Sequence, residues 1–122
     1  MSTRPPHILL VEDEPGTLMT TAILLEMSGY RVSKAPNGRR GLELFVAEAP
    51  DLVVTDYMMP HMDGLQLIEA IRAAGERAST PILLMSSGLP PEVSPTLADA
   101  FIRKPFEYTE FERAVVRLLK AR

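Results

Sequence analysis

The sequence predicts an α/β fold, a doubly wound sheet of five parallel strands in the order 2-1-3-4-5 with helices on both faces. Three observations predict it. Five short apolar runs recur along the 122 residues. Most of them lack the period-2 alternation that marks a sheet with one solvated face, so they read as strands buried on both sides. The stretches between most of them switch to a helical period. Strands alternating with helices form βαβ units, which require a parallel sheet. Right-handed crossovers then leave few topologies for five such units.

Each element follows from local chemistry. "HILLV" (7–11) is the first strand. From Pro15 to Met27, Leu18, Ala22 and Leu25 fall at i, i+4 and i+7 on one helical face, and Gly29 stands where a helix C-cap is expected. "YRVSKA" (30–35) is a more polar strand and therefore a sheet edge. "GRRGLELFVAEA" (38–49) is a helix with Leu42 and Phe45 inward, stopped by Pro50. "DLVVT" (51–55) is the third strand. Leu65 to Ala74 forms a helix carrying Leu65, Ile68 and Ile71, and ends at Gly75. "PILLM" (81–85) is the fourth strand, opened by a proline where a ladder donor can be spared. "AFIR" (100–103) is the fifth. Phe111, Val115 and Leu118 stripe a last helix from about Glu107 to Lys120. The pattern is flavodoxin-like. Residues 1–6 are expected to be a flexible tail and 7–122 one domain.

Composition narrows the function. With 46% hydrophobic residues the chain can bury a core. A formal net charge of −3 offers no basic footprint for direct nucleic-acid binding. No apolar stretch approaches the roughly 20 residues that span a membrane. The start, "MSTRPPHILLVEDE", lacks the apolar region and cleavage site of a secretory signal. Zero cysteines exclude disulfide and thiol chemistry and fit a cytoplasmic protein.

Open α/β sheets bind ligands beyond the carboxyl ends of their strands. Glu12, Asp13 and Glu14 follow strand one, and Asp56 follows strand three. Ser86 and Ser87 follow strand four, and Lys104 and Pro105 follow strand five. Each has a plain alternative. Asp13 can be a helix N-cap before Pro15, Ser86-Ser87-Gly88 loop punctuation, and Lys104 a solvated charge. Met58, Met59 and Met62 suit packing or the surface better than metal ligation. The conjunction at one sheet edge is what points to a site. Glu12, Asp13 and Asp56 held close together would raise one another's pKa values, and a hard cation relieves that repulsion. Oxygen ligands, few in number and open to water, suit Mg²⁺. Such a cluster beside an ammonium and a hydroxyl suits phosphoryl transfer. One carboxylate is then the nucleophile, and Asp56, standing alone, is the choice.

The segments "ILLVEDE" (8–14), "DLVVTDYMMPHMDGLQLI" (51–68), "PILLMSS" (81–87) and "FIRKPF" (101–106) together resemble a bacterial response-regulator receiver domain of the chemotaxis-Y type. The resemblance covers essentially the whole chain. It implies that Asp56 accepts a phosphoryl group from the phosphohistidine of a sensor histidine kinase or phosphotransfer protein. It implies that Asp13, Asp56 and the Met58 backbone carbonyl ligate Mg²⁺ directly, with Glu12 acting through water. Lys104 would pair with phosphoryl oxygens, the Ser87 backbone would contact phosphate, and Ser86 would turn its hydroxyl toward it. Phe101 would change rotamer with Ser86, and the Lys104–Pro105 peptide would be cis. The implied role is a phosphoacceptor switch that controls a downstream protein. Its only catalysis would be self-catalysed phosphoryl transfer to, and hydrolysis from, Asp56.

Two departures from the family pattern stand out. Glu12 replaces the more usual aspartate of the acidic pair. Only 18 positions, from 86 to 104, separate Ser86 from Lys104, and "GLPPEVSPTLADA" between them holds three prolines. A helix between strands four and five is therefore expected to be shortened or irregular over 89–99, and a monomer or weak dimer is expected. No effector domain follows Arg122, so the domain is expected either to act alone or to have another protein as its output partner. The competing readings are an interaction module not regulated by phosphorylation, and an aspartyl-phosphate phosphatase. The first is disfavoured by the full set of Glu12, Asp13, Asp56, Ser86 and Lys104. The second needs an Asp two positions after the nucleophile, where this chain has Met58.

Overall fold

A computed structural model describes residues 4–87 and 98–120, with the side chain of Glu76 left out. The elements run β1 (His7–Val11), α1 (Pro15–Met27), β2 (Arg31–Ala35), α2 (Gly38–Glu48), β3 (Leu52–Asp56), α3 (Gly64–Arg72), β4 (Ile82–Ser86), β5 (Ala100–Arg103) and α4 (Tyr108–Lys120). One 3-10 turn, Gly75–Arg77, follows α3. All strand pairs are parallel, in the order β2-β1-β3-β4-β5. The expected topology is the observed one, with β2, the polar run, at one edge. The segment expected to hold a shortened helix lies, from 88 to 97, outside the described residues.

The core divides by strand parity. Side chains of Ile8, Leu10, Leu52, Val54, Leu83, Met85 and Ile102 pack with Ala22 and Leu25 of α1 and with Phe111, Val115 and Leu118 of α4. Leu9, Val11, Val53, Ile82 and Leu84 face the other way, onto Phe45 of α2 and Leu67, Ile68 and Ile71 of α3. Alternate residues of a strand point to opposite faces, so continuous apolar runs serve both layers. β1, β3 and β4 are buried along their whole length. Each large side chain fully buried here contributes on the order of 1.5–3 kcal/mol.

Helix ends decide one of the plain alternatives. The N-cap of α1 is Glu14, not Asp13: its carboxylate accepts from Gly16 N at 3.1 Å and Thr17 N at 2.6 Å. Pro15 occupies the first helical position, so the residue before it caps and Asp13 is left outside the helix. Gly29, just past the Ser28 C-cap, has φ +100°, a left-handed conformation that suits glycine. Asn37 caps α2 by accepting from Arg40 N at 2.8 Å, and Asp63 and Gln66 form a reciprocal capping box on α3. The strands β3 and β4 each run one residue further than their apolar runs, so Asp56 and Ser86 are strand residues rather than loop residues.

Candidate phosphoacceptor site

Parity also builds the site. Glu12 continues the alternation of Ile8 and Leu10, Asp56 that of Leu52 and Val54, and Lys104 follows Ile102 by two. All three leave the sheet edge on the α1/α4 side, where the apolar layer stops. Asp56 is held at the end of β3 by Tyr57 N, which donates to the Met85 carbonyl at 2.8 Å and to Asp56 Oδ1 at 3.0 Å. Gly64 N donates to the Tyr57 carbonyl at 2.8 Å. A Cβ on Gly64 would lie 2.4 Å from the Asp56 carbonyl oxygen, so only glycine lets α3 begin this close beneath the acidic strand end.

Glu12 is 2% exposed and Asp56 7% exposed, while Asp13 is open to solvent. One oxygen from each of Glu12, Asp13 and Asp56 lies within 4.8 Å of the others. Lys104 Nζ donates to Glu12 Oε1 at 2.6 Å and stands 3.4 Å from Asp56 Oδ2. Glu12 Oε2 accepts from Glu14 N at 3.2 Å. Burial pushes the Asp56 carboxyl from its usual 3.8 up to about 6, the negative Glu12 adds to the rise, and Lys104 opposes it. Burial works to lower the Lys104 pKa, but the hydrogen bond to Glu12 and the charges of Asp56 and Glu12 outweigh it and raise the value. Three carboxylates thus share one ammonium. The excess negative charge and the all-oxygen donor set, one member solvent-facing, fit a hard divalent cation.

The family profile described as response regulator receiver domain matches residues 8–116. The chain belongs to this family. Response regulator Rre1 of Synechocystis is 36% identical over 123 residues, covering 97% of this chain and 53% of the relative. Transcriptional regulatory protein GlrR of Escherichia coli is 34% identical over 117 residues, covering 94% of this chain and 26% of the relative. The chain therefore spans about a quarter to a half of these two relatives' lengths. Among solved structures, response regulator TrrA of Thermotoga maritima in complex with Mg²⁺-BeF has a TM-score of 0.85 at 30% identity. That match covers 93% of this chain and 98% of the other. Chemotaxis protein CheY4 of Vibrio cholerae has a TM-score of 0.87 at 25% identity, with the same coverage.

The remaining residues of this receiver domain take up separate places. Ser86 ends β4, 1% exposed, and its carbonyl accepts from Lys104 N at 2.8 Å. Ser87 is exposed. Phe101 pairs in register with Leu84, two residues before Ser86, so Phe101 and Ser86 share the α3 face of the sheet. Phe101 is half-buried there against the apolar layer. The Lys104–Pro105 peptide is cis. Met59 is buried and Met62 packs on the core, as expected of methionine, while Met58 is 64% exposed. The sequence reading missed the direct Glu12–Lys104 ion pair and the proximity of Gly64. The turn after β2, Pro36-Asn37-Gly38, carries no acid, hydroxyl or lysine to mark it in the sequence. Among the described residues, no helix is long and apolar enough to cross a membrane.

Proposed function

We propose that this receiver domain is a phosphoacceptor switch, taking a phosphoryl group onto Asp56 from the phosphohistidine of a histidine kinase or phosphotransfer protein. The observation that carries the proposal is the placement of Asp56. It stands at a strand end, with Lys104 Nζ 3.4 Å away and the Glu12 and Asp13 oxygens beside it. With a pKa of about 6, its carboxyl is ionised and nucleophilic near neutral pH. The Tyr57 N–H fixes the carboxylate through one oxygen. Attack on phosphorus forms the acyl phosphate while the imidazole departs with the electron pair of the broken P–N bond.

Asp13, Asp56 and the Met58 carbonyl would hold Mg²⁺, with Glu12 contributing through water. The cation supplies charge neutralisation for the transferring group. Lys104 is already poised by Glu12, and its ammonium would meet the phosphoryl oxygens once Asp56 is modified. The new group is nearly dianionic. Ser86 turning toward it would open space on the α3 face, which Phe101 would fill. Hydrolysis of the acyl phosphate at the same site returns the switch to its resting state, and no other catalysis is assigned. The regulated partner is a protein, and the domain acts in the cytoplasm.

The test is mass spectrometry after incubation with a small phosphodonor and Mg²⁺. A phosphoryl mass gain located on Asp56, and absent from Asp56→Asn, is expected. Equal uptake by the variant refutes the assignment of Asp56. No uptake by the unsubstituted chain favours an interaction module without phosphorylation.

A further inference from the structure

Asp13 has a second neighbourhood. Away from the acidic cluster it lines a cleft of about 340 Å³ between the turn after β2 and the loop after β3. Pro36, Asn37 and Arg39 form one wall, and Pro60 and His61 the other. The walls are pressed together: a Cβ on Gly38 would lie 2.7 Å from the Met62 carbonyl oxygen. His61 adopts φ 69°, a left-handed backbone that a non-glycine residue rarely holds. The volume is at the lower end of the roughly 300–1,000 Å³ of small-molecule sites. It admits a group of a few heavy atoms.

Arg39 sets the character of this cleft. Among the described residues it enters no ion pair, whereas its neighbour Arg40 pairs with Glu43 at 3.1 Å. It also sits in the first turn of α2, where the helix dipole disfavours a cation. A residue that breaks a local rule without a compensating contact is expected at functional positions. Among the residues lining the cleft Arg39 is the one Lys or Arg, the cation that can meet an anionic guest.

We propose that this cleft receives the leaving group of a small acyl phosphate donor, with Arg39 favouring the departing carboxylate. The inference rests on Asp56 as the phosphoacceptor. The Asp56 carboxylate forms a bond to phosphorus, and the bond from phosphorus to the acyl oxygen breaks. The electron pair leaves on a free carboxylate, so no proton is needed and the total charge is conserved. Phosphoramidate provides the contrast. Its zwitterion transfers the same phosphoryl group and releases neutral ammonia, which gains nothing from a guanidinium.

The experiment compares initial rates of Asp56 phosphorylation by acetyl phosphate and by phosphoramidate, followed by intact mass with excess Mg²⁺. Arg39→Ala is expected to lower the ratio of the acetyl phosphate rate to the phosphoramidate rate by roughly 3- to 5-fold, the upper effect of one solvated charge. Arg39→Lys, which keeps the charge, should hold the ratio within about twofold on the same reasoning. A general loss of folding or of metal would slow both donors together and leave the ratio unmoved. An unchanged ratio in Arg39→Ala, or an equal fall in both variants, overturns the subsite while the assignment of Asp56 stands. If neither donor modifies Asp56 in the unsubstituted chain, the subsite and the phosphoacceptor reading fall together.

Discussion

Neutralising Asp56 should stabilise this protein, and only above the acid range. Asp56→Asn keeps the size of the side chain and its contact with Tyr57 N while removing one of the crowded negative charges. Lys104 keeps its 2.6 Å bond to Glu12, so the change leaves no orphaned cation. The folded carboxyl titrates near about 6 rather than 3.8, because burial and then Glu12 disfavour its charge. Folding therefore takes up a proton between those values. The contribution of the protonated carboxyl is complete below about 3.8 and is lost as the pH rises through about 6. A rise of roughly two units corresponds to ~3 kcal/mol at ~1.36 kcal/mol per unit. The site opens to water at the sheet edge, and screening reduces this to about 1–2 kcal/mol. Urea unfolding in metal-free buffer at about pH 8 should then place the variant's midpoint roughly 0.5–1 M higher, for a slope near 2 kcal/mol/M. Near pH 4 the gap should shrink below about 0.5 kcal/mol, because the folded carboxyl is then protonated and the unfolded one, at its usual 3.8, is close to half protonated. A gap of the same size at both pH values, or a variant less stable at about pH 8, would refute the claim that Asp56 is held under electrostatic strain.

Two further outcomes follow from the packing around that carboxylate. Gly64→Ala forces its Cβ against the Asp56 carbonyl oxygen at 2.4 Å and Tyr57 Cα at 2.9 Å. It should cost roughly 1–3 kcal/mol in urea unfolding and slow phosphoryl uptake; a stability equal to that of the unsubstituted chain would contradict the close approach. Lys104→Met strips the partner from Glu12, which is 2% exposed, and from Asp56. The Asp56 carboxyl, relieved of its opposing cation, should then titrate above its present value of about 6 in an NMR pH titration. An unchanged value would show that Lys104 does not act on it, and a lower one would reverse the assigned effect.

Most of the fold was legible because both faces of the sheet are covered. "HILLV", "LVV" and "ILLM" had to be strands buried on two sides, and the polar "RVSKA" had to lie at an edge. The ends of elements were less legible. Asp13 is the better N-cap by residue type, and only the distance from Pro15 gives the role to Glu14. Asp56 and Ser86 were read as residues just beyond their strands, although the ladder carries them: Asp56 pairs in register with Met85, and Ser86 with Arg103.

The site was legible in its membership more than in its wiring. Parity alone puts Glu12, Asp56 and Lys104 on one face, because each lies an even number of positions beyond a buried residue of the α1/α4 layer. That reading needs only the sequence and the two-residue period of a strand. What it cannot supply is distance across the sheet. The Glu12–Lys104 bond joins residues 92 positions apart and depends on how far β5 slides along β4. The Arg39 cleft was missed for a different reason. β2 ends in Pro36-Asn37-Gly38, which reads as a turn and carries no acid, hydroxyl or lysine. Asp13 joins both neighbourhoods, with the acidic cluster on one side and the cleft that Arg39 also lines on the other. Charge at the β2 turn therefore belongs to the same electrostatic problem as charge at Asp56, and sorting motifs by strand end separates two residues that the fold brings to one edge.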